Sequence, residues 1–239
     1  AVARLMELAG EAAAPCWVVH LSTHEGLAAI KAARAAGRTV LVESCPQYLT
    51  LTDEVYARPD FEGAKFVCSP PIRKVEDKNA LWRAAANSEI DIISTDHCSF
   101  NFKKQKELGL HNFSLIPNGL PGLEQRPALI WTCGVAAGRI SAPQMCAMLA
   151  ANPAKAFGLW GRKGALEPGF DADVVVWDPG WRGEIRAAEQ QTNCDYSPWE
   201  GFALAGRARA VYLRGEPVAE NGRCIRRGGG RFLARRPAF

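Results

Sequence analysis

The chain has 239 residues, 48% hydrophobic and 23% charged, with a formal net charge of +4. That length holds one large domain or two modest ones, with a core able to stand alone when the fold is complete. No apolar run reaches the roughly 18 residues that span a bilayer, and no charged start followed by an apolar stretch marks a signal peptide. The basic surplus gathers in the C-terminal tail, at Arg223, Arg226, Arg227, Arg231, Arg235 and Arg236. No ordered stripe of bases and aromatics lies beside it, so neither a nucleic acid nor a membrane is expected as a partner.

The chain opens Ala1-Val2-Ala3-Arg4, without Met, in what reads as the middle of an amphipathic helix. Leu5, Leu8 and Ala12 share one face, and no capping residue precedes them. The sequence is therefore expected to be a C-terminal piece of a longer protein. The helix covers residues 1–14 and stops at Pro15. A strand over 16–20 follows, then a helix over 23–36 with Leu27, Ile30 and Ala33 inward and Gly37 at its end. The next strand, 39–43, runs into an irregular segment beginning Cys45-Pro46-Gln47-Tyr48-Leu49. Residues 50–75 are loop-rich, and Pro70-Pro71 excludes a central strand there. A helix carrying Leu81, Trp82 and Ala85 leads to a strand over 92–94, and a long loop occupies 98–122. Helices are expected over 122–137, 142–149 and 153–157. Beyond Gly164 the texture changes to strands over 173–178 and 207–213, with a tight turn at Arg214-Gly215-Glu216. Strand, helix, strand at the first spacing is the signature of a parallel sheet or barrel.

Eight cysteines are scattered singly with no CxxC pair, which reads as reduced, largely buried thiols in a cytoplasmic protein.

Two stretches carry the chemistry. Asp91-Ile92-Ile93-Ser94-Thr95-Asp96-His97 is an apolar, β-branched run ending in an acid and an imidazole. Trp17-Val18-Val19-His20 repeats the design. Taken alone, a histidine at a strand end is ordinarily a hydrogen-bonded structural group, and an aspartate before a histidine an ordinary turn residue. Two ligand-type side chains at the ends of successive strands point instead to a shared metal centre holding His20 and Asp96. Two ligands do not complete such a centre, which needs three or four, and neither an HxH nor an HExxH motif occurs. Ile116-Pro117-Asn118-Gly119 with Pro121-Gly122 reads as a rigid loop facing the same pocket.

Beyond these readings the chain resembles, over nearly its whole length, the C-terminal half of dihydropyrimidinases and D-hydantoinases, cyclic amidases of the amidohydrolase superfamily. The motifs are Val19-His20-Leu21-Ser22, Glu43-Ser44-Cys45-Pro46-Gln47-Tyr48-Leu49, Val67-Cys68-Ser69-Pro70-Pro71-Ile72-Arg73 and Ser94-Thr95-Asp96-His97-Cys98. Phe102 to Gly109, Ile116 to Gly122, Asn152-Pro153-Ala154-Lys155, Gly169-Phe170-Asp171-Ala172-Asp173 and Asp195 to Gly201 complete the set. The resemblance implies an α/β fold: the last three βα units of a metal-dependent, TIM-like (β/α)8 barrel, plus part of a small β-sandwich. Residues 1–160 would be the barrel portion, 161–222 the sandwich segment and 223–239 a basic tail. It implies two divalent metal ions, with Zn²⁺ favoured. His20 would be a ligand of one metal. Asp96 would bind the other and shuttle a proton. Ser69 and Asn118 would contact the cyclic imide or ureide substrate, largely through backbone groups. A His-x-His pair, a carboxylated lysine bridging the metals, another histidine and a tyrosine belong to the family's earlier half, so this chain alone is expected to be inactive. The complete protein is expected to be a homotetramer. The alternatives are a dihydropyrimidinase-like adaptor without metal ligands, against which His20 and Asp96 argue, and an allantoinase or dihydroorotase.

Overall fold

The computed structural model describes residues 1–235; Arg236 of the basic tail lies outside the described residues. The chain forms two compact units, Ala1–Arg126 with Ile185–Phe202, and Pro127–Glu184 with Ala203–Phe239.

The first unit is an α/β layer around three parallel strands in the order β1 (Cys16–Val18), β2 (Val40–Ser44), β3 (Ile92–Ile93). Trp17 pairs with Leu41, and Glu43 with Ile92. Parallel neighbours require crossovers, and α2 (His24–Ala35) and α4 (Val75–Ala86) lie on them. Along β2, Val40, Val42 and Ser44 are buried while Leu41 and Glu43 are half-buried, the period-2 alternation of a strand whose faces differ.

Helix α2 forms as its sequence predicts. The Thr23 hydroxyl accepts a hydrogen bond from Gly26 N at 3.0 Å, satisfying one of the free donors of the first turn. Leu27, Ile30 and Ala33 are buried, and Gly37 takes the left-handed conformation just beyond the end, at φ +80°. In α4, Leu81, Trp82 and Ala85 face inward as expected.

Helix α1 (Val2–Glu11) departs from expectation. Leu5 and Leu8 are exposed, whereas Met6 is buried. The packed stripe is that of Val2 and Met6, one turn apart, because α1 lies against α2 beside Gly26; a Cβ at Gly26 would stand 3.4 Å from Val2 Cγ2. A second correction concerns 46–50, expected to be irregular: α3 (Pro46–Thr50) is a short helix. Pro46 sits at its start, where a proline's missing N–H costs nothing. Trp82 Nε1 donates to Leu49 O at 2.7 Å, and Trp199 Nε1 to Thr50 Oγ1 at 2.8 Å. Cysteine burial also differs from expectation: Cys45 and Cys68 are buried, but Cys98, Cys146 and Cys224 are exposed.

The long 98–122 loop contains two 3-10 turns, Lys106–Gly109 and Phe113–Leu115, and closes on itself through a single parallel bridge between His97 and Leu120. The returning segment Ile185–Phe202 fixes it from outside. The Asp195 carboxylate accepts from Phe102 N at 2.7 Å and Lys103 N at 3.0 Å. Glu124 accepts from Gln191 N at 2.8 Å and Thr192 N at 3.1 Å. Trp199, at the far end of the segment, is 2% exposed.

The second unit begins within α5 (Arg126–Ile130), which continues as a π-helical turn over Trp131–Val135. A capping box between Ser141 and Gln144 starts α6 (Ala142–Cys146). A further π-helical turn, Ala147–Ala151, joins α6 to α7 (Asn152–Ala156), where the sequence reads as two separate helices. The widened turn accommodates Pro153, which has no N–H to give and whose ring crowds the preceding turn. The sheet is antiparallel, in the order β4 (Val174–Glu184), β5 (Ala203–Leu213), β6 (Glu216–Glu220), β7 (Arg223–Cys224). Strand β4 outruns the expected 173–178 because register shifts at Val176/Trp177 and Asp178/Arg182 carry Pro179 past the ladder. Gly206, at φ +86°, lets Trp131 and Trp177 close to 5.2 Å; a Cβ there would lie 2.6 Å from Trp131 Nε1. Arg214 and Gly215 both have positive φ, the two-residue turn that suits a right-twisted hairpin. The Gly169–Asp173 motif is a clamp: Lys163 reaches Asp171 at 2.8 Å and also Asp173, which accepts from Arg214 N at 2.9 Å. No described helix is long and apolar enough to cross a membrane.

Removing the Thr23 hydroxyl should cost about 1 kcal/mol of stability, as for other N-caps. Urea unfolding of Thr23→Ala against Thr23→Ser measures it, and the serine variant should recover most of the loss.

Candidate functional site

His20 stands two residues beyond β1 and Asp96 three beyond β3, at the same, C-terminal end of one parallel sheet. Neighbouring strands lie about 4.8 Å apart, so β1 and β3 sit roughly 10 Å from each other across β2. The ladder runs on past the strand ends: Leu21 N donates to Glu43 O at 2.7 Å, and Ser94 N to Ser44 O at 3.0 Å. His20 and Asp96 are thus held against a continuous frame. Both have left-handed backbones, at φ 41° and 49°, a conformation that costs a non-glycine residue about 1 kcal/mol or more. Such strain concentrates where a fold re-aims a functional side chain.

Asp96 is exposed and His20 half-buried. Neither side chain has a hydrogen-bond or ion-pair partner among the described residues. An imidazole and a carboxylate without protein partners among the described residues, at one end of the sheet, fit part of the donor set of a Zn²⁺-type ion. Nearby, burial pushes the thiols of Cys45 and Cys68 up to about 12 and about 11, with Asp96 among the charges that add to both shifts. These thiols stay protonated. The Tyr48 phenol is likewise pushed up by burial and donates to Pro70 O at 2.9 Å.

Ser69 and Asn118, both exposed, sit on two loops that are bonded to each other. Gly119 N donates to Val67 O at 3.0 Å. Lys106 is 0% exposed; its ammonium donates to Val67 O at 2.9 Å and to Pro117 O at 3.0 Å. Gly119 also runs close to Cys98, where a Cβ would meet Cys98 O at 2.3 Å. Tyr56 Oη accepts from Ile72 N at 2.8 Å and steadies the far side of the Ser69 loop. The Phe102–Gly109 motif is recognisable in the sequence, but it assigns no role to Lys106. In a run with Lys103, Lys104 and Glu107 nothing marks one lysine as buried; the one available signal is the loop's unusual length.

Two of the other histidines, His97 and His24, are structural. His97 Nδ1 accepts from Gly122 N at 3.1 Å and Leu123 N at 3.2 Å. His24 donates its main-chain N–H to Asp77 at 2.9 Å, and its Nδ1 lies 2.7 Å from the same oxygen. That hydrogen bond raises the imidazole above its ordinary value. His24, Glu25 and Asp77 form a cluster with metal-type atoms within 4.8 Å of one another. Asp77 there serves the first turn of α2, and the cluster includes neither His20 nor Asp96.

The sequence of this chain matches the Amidohydrolase family over residues 3–218. The chain belongs to that family, whose members are metal-dependent. It is 46% identical over 215 residues to the D-hydantoinase of Streptomyces coelicolor, covering 90% of this chain and 46% of that protein. To the D-phenylhydantoinase of Escherichia coli O81 it is 43% identical over 239 residues, covering 99% of this chain and 51% of that protein. The crystal structure of dihydropyrimidinase from Brevibacillus agri NCHU1002 superposes with a TM-score of 0.92 at 39% identity, over 94% of this chain and 49% of that one. The L-hydantoinase of Arthrobacter aurescens gives 0.86 at 31% identity, over 94% and 49%. The chain thus spans about half the length of the relatives it matches.

Burial pushes Lys106 down to about 8. The unfolded chain keeps this proton to near 10.4, so from about pH 8 to 10.4 the unfolded state binds more of it and the lysine's contribution to stability rises with pH. Cys45 and Cys68 act in the opposite sense. The measurement is therefore the stability of wild type minus that of Lys106→Met, by urea unfolding at about pH 7.5 and about pH 10. The difference should shift in favour of wild type at the higher pH.

Proposed function

We propose that this chain supplies the second half of a binuclear-metal cyclic amidase that hydrolyses 5,6-dihydropyrimidines or 5-substituted hydantoins. The observation that carries the reading is that His20 and Asp96 stand at the C-terminal end of the β1-β2-β3 sheet, in a chain 46% identical to a D-hydantoinase. We read the sheet and its helices as the last three βα units of a (β/α)8 barrel. Residues 1–160 form the barrel portion, 161–222 belong to a small β-sandwich, and 223–239 are a basic tail. In support, the strands are parallel and in chain order, and the β2 face bearing Leu41 and Glu43 is only half-buried, as a barrel interior awaiting its other strands would be.

In this reading His20 would hold one divalent ion and Asp96 the second. Zn²⁺ is favoured by the donor types. A His-x-His pair, a carboxylated lysine, a further histidine and a tyrosine come from the other half of the complete enzyme. The bound ions supply a lowered pKa for water and polarisation of the ring carbonyl. Asp96 takes the proton from the attacking water and delivers it to the ring nitrogen as the C–N bond breaks, leaving a ring-opened carboxylate. The main chain at Ser69 and Asn118 holds the ring in register. The complete enzyme is read as a cytoplasmic homotetramer. Eight cysteines without a disulfide among the described residues accord with a reducing compartment, and the tetramer rests on the family resemblance.

The test uses the full-length product of the gene, loaded with Zn²⁺, on dihydrouracil, 5-phenylhydantoin, allantoin and dihydroorotate. Turnover of the first two is expected; preference for either of the last two would replace the substrate assignment. Asp96→Asn should lower kcat by roughly 10²–10⁴-fold, the usual range for general acid–base catalysis, with an unchanged circular dichroism spectrum. Undiminished turnover in that variant would remove the proton shuttle.

A further inference from the structure

Lys106 is a charged group with no evident reason to be dry. It is 0% exposed, and among the described residues no carboxylate lies within ion-pair distance of its ammonium. A buried, unpaired cation is expensive. An uncharged chain of the same length would fill the volume, and Val67 O already accepts from Gly119 N. The cost must therefore be offset by what the ammonium does, which is to join two carbonyls, Val67 O at 2.9 Å and Pro117 O at 3.0 Å. Val67 lies two residues before Ser69, and Pro117 immediately before Asn118.

We propose that Lys106 is a positioning residue for substrate: its ammonium is a strut that sets the spacing of the two main-chain segments at Ser69 and Asn118. The inference rests on the reading of those segments as the grip on a cyclic imide. A ring that presents carbonyl, N–H and carbonyl in one rigid edge is sensitive to that spacing, since a displacement of an ångström costs substantial rate or affinity. The strut is rooted. Lys106 N donates to Asn101 O at 3.1 Å, and Asp195 fixes the main chain at Phe102. The hydrogen bond from a cation to Pro117 O also polarises the peptide unit that ends in Asn118 N–H, making it a better donor to a substrate carbonyl.

The experiment compares wild type, Lys106→Met and Lys106→Arg in the full-length protein. Three quantities are measured: kcat and KM on 5-phenylhydantoin, zinc content, and hydrogen exchange of the Gly119 amide. Lys106→Met should raise KM roughly tenfold, the scale of one lost substrate hydrogen bond, with kcat changed less than about threefold and zinc unchanged. Gly119 should exchange faster while the α2 amides keep their protection, and Lys106→Arg should restore part of the KM. Unchanged KM in Lys106→Met, or loss of zinc together with kcat, would overturn the strut. If Lys106→Met does not fold, Lys106→Gln is judged by the same criteria. A wild type that turns over no cyclic amide defeats the functional reading. Faster Gly119 exchange in Lys106→Met would then support the strut as a loop tie, and unaltered exchange would refute it.

Discussion

Everything at the candidate site depends on β2 being paired on both sides. It is the central strand of the β1-β2-β3 sheet, and its last two carbonyls reach beyond the regular ladder. Glu43 O takes the N–H of Leu21, and Ser44 O takes that of Ser94. His20 is the residue before the first of these donors, and Asp96 stands two beyond the second. The backbone can turn left-handed at both positions because neighbouring bonds over-determine it. With β2 unpaired on either side, one of the two ligand-type residues would lose its reference frame.

A second level of order fixes the loops. Loops of this length are ordinarily mobile, yet this one is tied at Phe102 and Lys103 by Asp195, at its ends by the His97–Leu120 bridge, and at its centre by Lys106. None of these ties is an apolar contact. They are charge-assisted or main-chain hydrogen bonds, which specify position more sharply than burial does.

The sequence was legible where local chemistry and burial agree. Helix α2 announces itself through Thr23, the Leu27–Ile30–Ala33 stripe and Gly37, and the structure follows. The runs ending at His20 and Asp96 are legible as strands because β-branched residues cluster there. Other features are set by tertiary context. Pro46 looks like a breaker but starts α3. The face of α1 that packs is chosen by Gly26 across from it, not by the larger leucines. Strand β4 passes Pro179 only because the ladder bulges there. Lys106 resembles its exposed neighbours in type, and its burial is decided by Val67, 39 residues away, and by Pro117, 11 residues on in the same loop. The left-handed turns at His20 and Asp96 have only a weak marker in residue type: aspartate and histidine adopt that region more readily than most side chains, but glycine is its usual occupant.

The segment Ile185–Phe202 has a consequence for how this molecule is made or divided. It belongs to the first unit, yet it is flanked on both sides by strands of the second. The two units are therefore interleaved along the chain, and no single cleavage point yields both intact. Truncation after residue 126 would strip away Asp195 and Trp199, the fasteners of Phe102 and Thr50. A ribosome must have completed β4 and the whole return excursion before the first unit can acquire its last fasteners, so that unit is finished only after much of the second has been synthesised.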